Sequence, residues 1–333
     1  MNKIAFIIGE TFLYWNSIFL ALGVLAAVCL FLAFYLGRSG NGIGAFLTVP
    51  ITIVFSLVLS RLVHWYCKAD SYASLESALT DYTSGTYALC GVFAGAFLTA
   101  CALRLMRAVR NLPQLLDTIA LAGVVGIGVG RFGCLFTSAD RGDIVSDSWT
   151  FPFTWPVPNA VTGAPENRIA VFMIQAAVCG VIFIALLLYW LVNRQKGRDG
   201  DTCLLFLLFY GASQAVLDSM RYDALYLRSN GFVSLVQILG ALGVVLAVIV
   251  FSVRMVRSRG WRWWYLGLWF LIAGLLGGAG YMEYHVQRHG DQALFAYTVM
   301  SGCLFAVTVL GAVILGLAGK KAKKRVPMTA GIS

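Results

Sequence analysis

Long apolar segments alternate with short polar connectors along most of the chain. Nine of these segments are each long enough, at about 1.5 Å per residue, to cross a hydrocarbon layer of about 30 Å as a helix. Hydrophobic residues make up 59% of the 333 residues and charged residues only 12%, a balance that no soluble domain of this size needs for its core. The pattern predicts an all-α, polytopic transmembrane helical bundle with spans at 12–36, 43–65, 86–107, 114–136, 169–192, 202–221, 232–253, 262–281 and 293–318.

Basic residues are unevenly distributed between the two sets of connectors. With the amino terminus outside, the inner connectors and the tail hold 16 Lys and Arg residues and the outer ones hold seven. The positive-inside rule therefore predicts nine crossings, with the amino terminus outside and the carboxyl terminus in the cytoplasm. The same distribution explains the net charge of +10 without a nucleic-acid partner, because a basic tail at 320–333 suits anionic headgroups.

Two predicted outer loops, 66–85 and 137–168, are longer than the other connectors. The second combines aromatic residues with proline, namely Trp149, Phe151, Pro152, Phe153, Trp155, Pro156 and Pro158. Proline at this density excludes a regular helix, and the aromatic rings suit the headgroup layer of a membrane. The loop either lies on the outer leaflet or packs into the bundle.

Polar side chains collect at the outer ends of the predicted spans. Arg131 lies in an otherwise apolar, glycine-rich segment, and an ionisable group there is by default a candidate for function. Gln214, Asp218 and Arg221 share one helix face because they are spaced by four and three residues. The same depth is reached by Arg61, His64, Cys90 and Cys134, with Gln175 slightly deeper. Three arginines with one acid indicate a cationic cluster.

A cluster of this kind suits a lipid phosphate, because a planar guanidinium holds phosphate oxygens in a bidentate manner. It also suits a reaction in which charge develops on a departing phosphate. The alternative is that Arg61 and Arg131 snorkel to headgroups while Asp218 pairs with Arg221 as a helix-end ion pair. Gly133 and Gly142 are candidate points of close ligand approach. No Cys or His spacing is typical of a metal site, and no cofactor is expected.

Several ordered motifs resemble the prolipoprotein diacylglyceryl transferase family, bacterial inner-membrane enzymes that move diacylglyceryl from phosphatidylglycerol to the lipobox cysteine of a prolipoprotein. The resemblance runs from about Thr11 to Val253. It is carried by Ser60-Arg61-Leu62, Gly130-Arg131-Phe132-Gly133-Cys134-Leu135-Phe136 with Gly142, Phe151-Pro152-Phe153, Tyr210-Gly211 with Gln214, Asp218 and Arg221, and Gln237-Ile238-Leu239. It implies a family-like bundle of seven spans at 1–253, two additional helices at 254–319 and the basic cytoplasmic tail.

The resemblance also implies roles for residues at the outer face. The expected catalytic residues are Arg131, Cys90, Asp218 and Arg221, and the expected substrate-binding residues are Arg61, Gly133, Cys134, Asp140, Gly142 and Gln214. The expected partners are phosphatidylglycerol or another anionic phospholipid, the prolipoprotein signal peptide and the membrane itself.

Four expected site positions depart from the family pattern. Cys90 stands where the family has a proposed acid/base histidine, and Cys134 stands where it has an asparagine. Gln214 replaces an arginine, and the family glutamate falls near Ala139 or Asp140. Cys90 beside an arginine could supply a thiolate in place of the histidine, because cations lower a thiol pKa.

Three functions are therefore compared. The first is the diacylglyceryl transfer itself, and the second is a non-catalytic phospholipid-binding relative that acts in lipid or envelope-protein handling. A small-solute transporter is less favoured, because the charged groups cluster at one face and do not line a path across the membrane. Asp140 discriminates between the first two, since a carboxylate that reaches the cluster favours the enzyme.

Overall fold

The computed structural model describes residues 3–9, 11–39, 41–80, 87–145, 153–159, 162–193, 198–228, 230–289 and 292–319. Ten helices lie in this part of the chain: α1 Trp15–Ser39, α2 Gly42–Cys67, α3 Leu75–Thr80, α4 Leu89–Leu105, α5 Leu112–Arg131, α6 Val171–Asn193, α7 Asp201–Ser219, α8 Leu235–Arg259, α9 Trp264–His289 and α10 Ala293–Gly319. Two short 3-10 helices lie at Ala69–Ser71 and Phe132–Phe136. The basic tail at 320–333 lies outside the described residues.

The prediction of an all-α, polytopic bundle is confirmed. Eight helices are long and apolar enough to cross a membrane, and α4, with 17 residues, is a shorter apolar helix at the remaining predicted span. The predicted boundaries were wrong at several helix ends. In particular, α8 continues to Arg259, beyond the predicted end of its span at 253. Likewise α9 runs to His289 and buries Glu283, where an outer loop was predicted.

Three antiparallel hairpins join helix ends at one end of the bundle, which we call the hairpin end. They pair β1 Ile4–Ile8 with β2 Thr11–Tyr14, β3 Thr154–Pro158 with β4 Pro165–Ile169, and β5 Tyr226–Leu227 with β6 Asn230–Ser234. The hairpins precede α1, α6 and α8, and α3 lies at the same end, because consecutive spanning helices alternate in direction. The opposite end, with short connections, is the connector end. Which end faces the cell exterior stays a prediction.

Small residues let neighbouring helices approach closely at α5. A Cβ atom at Gly126 would lie 2.9 Å from the Cβ atom of Ala27 in α1, and one at Gly128 would lie 3.1 Å from that of Cys179 in α6. Gly123 has no such neighbour within 4 Å. The glycines of α5 therefore join it to helices on two sides.

The buried apolar side chains form two main groups that share α5. One group lies among α1, α2, α4 and α5, and the other lies among α5, α6, α7, α8, α9 and α10. A Cβ atom at Gly311 in α10 would lie 2.7 Å from Leu208 in α7, so the last two helices pack directly on the family-like bundle. Helix α5 is thus central to the core.

A polar network at the connector end was missed by the sequence analysis. The carboxylate of Asp117 in α5 accepts hydrogen bonds of 2.8 Å from the backbone N–H groups of Gly200 and Cys203, and so caps α7. Arg38 pairs with Asp199, and Arg254 pairs with Asp201. These contacts fix the ends of four helices. They were not predictable, since the partners are far apart in sequence.

The crossing of α7 and α8 gives a prediction on stability. A Cβ atom at Gly211 would lie 2.5 Å from the carbonyl oxygen of Gly240. Gly211→Ala must therefore push the two helices apart, and we expect it to lower the free energy of unfolding by about 1–3 kcal/mol. Thermal unfolding in detergent measures this. Gly180→Ala in α6 is the control, because its Cβ atom meets nothing within 4 Å. Equal melting temperatures for the two variants would contradict the argument.

The charge distribution gives a prediction on topology. We expect the turn of the β3–β4 hairpin to be outside the cell and the carboxyl end to be in the cytoplasm. An epitope inserted at the exposed Gly163 should be reached by an external antibody in intact cells. A reporter that matures only outside the cytoplasm should stay inactive when fused at the carboxyl end. Activity of that reporter, or a protected epitope, would reverse the orientation.

Candidate active site

Asp140 joins two arginines at the hairpin end. Its carboxylate pairs with the guanidinium of Arg131, and its Oδ1 lies 2.6 Å from Nη2 of Arg221. The Asp140 side chain is 4% exposed, whereas Arg131 and Arg221 keep 16% and 14% of their side-chain surface exposed. The backbone N–H of Asp140 donates a 3.0 Å hydrogen bond to Asp223. The carboxylate therefore reaches the cluster, which is the condition that favours an enzyme.

Asp140 is held in its ionised form. Burial on its own would raise the pKa of this carboxyl, but the neighbouring charges of Arg131 and Arg221 outweigh burial and lower the pKa to about 2. The residue also adopts a φ of +56°, a left-handed conformation in which aspartate is enriched over most residues. Its loop thus turns the carboxylate back toward the end of α5.

Arg221 binds three carboxylates at once. Its Nη1 lies 3.0 Å from Asp218, its Nη2 binds Asp140, and its Nε lies 3.1 Å from Asp223. The expectation of three arginines facing a single acid was therefore wrong. Asp140 and Asp223 lie in loops, outside the spans, and only the folded chain brings them to the helix ends. An anionic ligand here competes with these carboxylates for guanidinium N–H groups.

Asp218 is fixed by the start of α8. Its Oδ2 accepts a hydrogen bond from the hydroxyl of Ser234, the N-cap residue of that helix. Ser234 and Gln237 form a reciprocal capping box, which satisfies backbone N–H groups of the first turn. The side-chain amide of Gln237 also donates a 3.0 Å hydrogen bond to the carbonyl of Ala215. The Gln237-Ile238-Leu239 motif thus helps to position an acid of the cluster.

Cys134 and Arg141 make contacts within the loop that carries Asp140. The thiol of Cys134 lies 3.2 Å from Oδ2 of Asp140. Arg141 is fully buried, with its guanidinium 4.2 Å from the ring of Phe172, and its Nη2 donates to the carbonyls of Cys134 and Thr137 at 2.8 and 3.0 Å. This role of Arg141 was not predicted from the sequence. An arginine in a loop gives no signal of burial.

Cys90 and Arg61 line the α2 and α4 side of the hairpin end. Cys90 is 7% exposed and lies within electrostatic range of Asp218 and Arg221. A direct contact of Cys90 with the cluster stays a prediction. Arg61 is buried, and its guanidinium carbon lies 4.5 Å from the centre of the Tyr87 ring. A direct role of Arg61 at the cluster stays a prediction.

Gly133 and Gly142 are closely surrounded by the protein itself. A Cβ atom at Gly133 would lie 2.5 Å from Oδ1 of Asn16, and one at Gly142 would lie 2.8 Å from the carbonyl oxygen of Met220. Packing is therefore sufficient to explain why glycine is needed at both positions. Contact of either residue with a substrate stays a prediction.

The described part of the long aromatic loop packs on the site. Thr154 and Val157 are buried in the β3–β4 hairpin, and Trp155 packs beside Cys134 and Phe172. This supports the packed loop over an arm lying on the membrane, although Phe153 is exposed. Trp149, Phe151 and Pro152 lie outside the described residues.

The comparisons agree with the motifs quoted above. A family model described as prolipoprotein diacylglyceryl transferase matches residues 3–253. The chain belongs to this family. The family part ends inside α8, and α9 and α10 lie beyond it.

Similar proteins carry the name phosphatidylglycerol–prolipoprotein diacylglyceryl transferase. One from Clostridium novyi is 24% identical over 261 residues, which cover 78% of this chain and 98% of the relative. Another from Limosilactobacillus reuteri is 25% identical over 281 residues, covering 80% and 96%. A third from Staphylococcus saprophyticus is 23% identical over 267 residues, covering 77% and 91%. The chain is thus a membrane-embedded member of a transferase family of lipoprotein biosynthesis.

The position of Asp140 gives a prediction on pH dependence. Asp140→Asn leaves Arg131 and Arg221, whose side chains are only partly exposed, without their shared carboxylate. We expect it to lower the free energy of unfolding by about 3–5 kcal/mol at pH 7. The pKa of Asp140 is lowered to about 2 in the folded protein, against about 3.9 for an unfolded chain. Its stabilisation is therefore complete above about pH 5 and is lost as the pH falls from about 4 toward 2.

Unfolding measurements in detergent between pH 8 and 3 test this for the wild type and Asp140→Asn. Asp70→Asn is the control, because Asp70 has a 95% exposed side chain. We expect that control to change stability by less than about 0.5 kcal/mol. A difference between wild type and Asp140→Asn that is the same at pH 3 as at pH 7 would contradict a stabilising carboxylate.

Proposed function

We propose that this protein transfers a diacylglyceryl group from phosphatidylglycerol to the lipobox cysteine thiol of a prolipoprotein in the bacterial cytoplasmic membrane. The observation that carries this proposal is the Asp140 carboxylate held between Arg131 and Arg221, beside Cys134 and Asp218. The names of the relatives and the extent of the family match support the same reaction. The signal peptide of the prolipoprotein is the proposed second partner.

The proposed reaction is a displacement at carbon. The sulfur of the lipobox cysteine attacks the glyceryl carbon that carries the phosphate, and the carbon–oxygen bond breaks. Glycerol phosphate leaves with the electron pair of that bond, so negative charge grows on the phosphate. Arg131 and Arg221 are placed to stabilise this charge, because both are held in position before the reaction and both keep an exposed surface.

The acids have a positioning role in this proposal. Asp140 and Asp218 hold Arg221 from two sides, and Asp140 also holds Arg131. The guanidinium groups therefore reorganise little when a phosphate arrives and shares their N–H groups. The thiol proton passes to a base, and the proposed acceptor is the thiolate form of Cys90, which the positive charge of Arg221 favours. Arg61, Cys134 and Gln214 are the proposed contacts of the lipid around this centre.

A non-catalytic, lipid-binding function is the second candidate. The observation that favours it is the presence of Cys90 and Cys134 where the family has histidine and asparagine. Both functions require the same arginines to hold an anionic phospholipid. Only the transferase turns over its substrates, so a measurement of diacylglyceryl transfer decides between the two functions.

Arg131 gives a prediction on catalysis. Arg131→Lys keeps the charge but loses the planar fork that binds two phosphate oxygens, so we expect it to fail nearly as badly as Arg131→Ala. Loss of a preplaced charge-stabilising donor lowers the rate on the order of hundreds of times. Diacylglyceryl transfer to a lipobox peptide is the measurement. Full transfer by Arg131→Lys would show that charge alone is sufficient.

Cys90 gives a prediction that separates the two candidate functions. Cys90→Ser should lose transfer while retaining co-purified phospholipid, because a serine hydroxyl is a much weaker acid and a poor source of a base at neutral pH. Cys29→Ser in α1 is the control, since Cys29 is exposed and distant from the hairpin-end cluster. Wild-type protein that holds phospholipid but transfers none, in an assay where a relative is active, would favour the non-catalytic function.

A further inference from the structure

Two buried glutamines form a hydrogen-bonded pair between α6 and α7. Nε2 of Gln175 donates to Oε1 of Gln214 at 3.2 Å, and the two residues are 1% and 2% exposed. Within the described part of the chain, Oε1 of Gln175 and Nε2 of Gln214 have no hydrogen-bond partner. The pair therefore presents one open acceptor and one open donor side by side.

The pair lies at the level of Arg131, about one helical turn below Asp218. A Cβ atom at Gly128 would lie 3.1 Å from that of Cys179, which fixes the level of α5 against α6. The two helices run in opposite directions, so positions after Gly128 in α5 lie level with positions before Cys179 in α6. Arg131 comes three residues after Gly128, and Gln175 comes four residues before Cys179. These two residues are therefore at the same level. Gln214 precedes Asp218 by four residues in α7, which is about 6 Å along the helix axis. Tyr210, another turn deeper, has its side chain in electrostatic range of Arg131.

The open groups indicate the chemistry of a missing partner. A buried amide donor or acceptor without a partner costs about 1–3 kcal/mol, so two such groups in contact strongly favour a bound polar group. A single hydroxyl satisfies both, because it donates to the acceptor and accepts from the donor. A charged amine or carboxylate fits poorly, since the pair itself is neutral and buried.

We propose that Gln175 and Gln214 bind a hydroxyl of the phospholipid headgroup and so select a polyol headgroup, such as glycerol, over headgroups without hydroxyls. This rests on the proposed function, in which the phosphate of the same lipid lies at Arg131 and Arg221. The spacing of four residues between Gln214 and Asp218, about 6 Å along the axis of α7, is comparable to the length of a short headgroup. The glycerol phosphate that leaves in the transfer reaction would thus be held from both ends.

The test compares two anionic lipids that differ only in headgroup hydroxyls. Phosphatidylglycerol and phosphatidylpropanol have the same phosphate diester, and the second lacks a free hydroxyl. Transfer to a lipobox peptide and lipid retained on the purified full chain are both measured, so the preference is known even without turnover. We expect the wild type to prefer phosphatidylglycerol by about tenfold to a hundredfold.

The variants Gln214→Met and Gln175→Met keep the shape of the side chain and remove the amide. Each should reduce the preference to about two- to threefold or less, and the double variant should reduce it no further, because one hydroxyl contacts both residues. If one variant fails to fold, the other still removes half of the pair. Ser213→Ala is the control on α7, since the Ser213 hydroxyl donates to the carbonyl of Tyr210 within its own helix, and it should keep the wild-type preference.

The outcomes separate this inference from the proposed function. Equal transfer from both lipids by the wild type would overturn the inference and leave the transferase in place. A preference that persists in both glutamine variants would also overturn it, and would assign the pair to buried water. Retention that favours phosphatidylglycerol in a protein without turnover would support the headgroup site and contradict the transferase.

Discussion

The structure at the hairpin end depends on one buried carboxylate shared by two partly exposed guanidinium groups. Each arginine alone would be expensive to keep near the apolar layer, and Asp140 compensates both. The low dielectric of the site strengthens these pairs, so the loop from Cys134 to Gly142 is fixed to the ends of α5 and α7. The guanidinium groups are thereby held in position before an anion binds. An anion then takes over some of the N–H groups that the carboxylates contact.

Helix packing determines where these groups can meet. Close approach at Gly126, Gly128 and Gly211 fixes the levels of neighbouring helices, and so the levels of Arg131, Gln175 and Asp218. The connector-end network, in which Asp117 caps α7, fixes the same helix at its other end. Because α7 is held at both ends, Asp218 and Gln214 on one of its faces have defined positions.

The two helices beyond the family match contribute to this same scaffold. Helix α10 packs against α7 at Leu208, and the hydroxyl of Tyr297 donates a 3.3 Å hydrogen bond to the carbonyl of Ser219, the last residue of α7. Helix α9 reaches the β5–β6 hairpin through Tyr284, whose ring centre lies 5.7 Å from that of Phe232. The added helices thus brace the elements that carry Asp218 and Arg221.

The sequence by itself determined the all-α membrane fold, the nine helical segments and the face of α7 that carries Gln214 and Asp218, with Arg221 just beyond its end. These follow from local rules, since hydrophobic length and helical spacing depend only on nearby residues. The family motifs added Arg131 and Cys90 as site residues. Asp140 was predicted only conditionally, because its alignment differs from the family pattern by one residue.

Only the tertiary structure decided which charges neutralise each other. Asp223, Gln175 and the acids at the connector end act through partners that are distant in sequence. A loop residue such as Arg141 carries no periodic signal of burial. The positive φ of Asp140 and the capping box at Ser234 aim two carboxylates at one guanidinium. Such contacts depend on the conformation of the loops and on how far each helix is shifted along its axis relative to its neighbours. The hydrophobic pattern encodes neither.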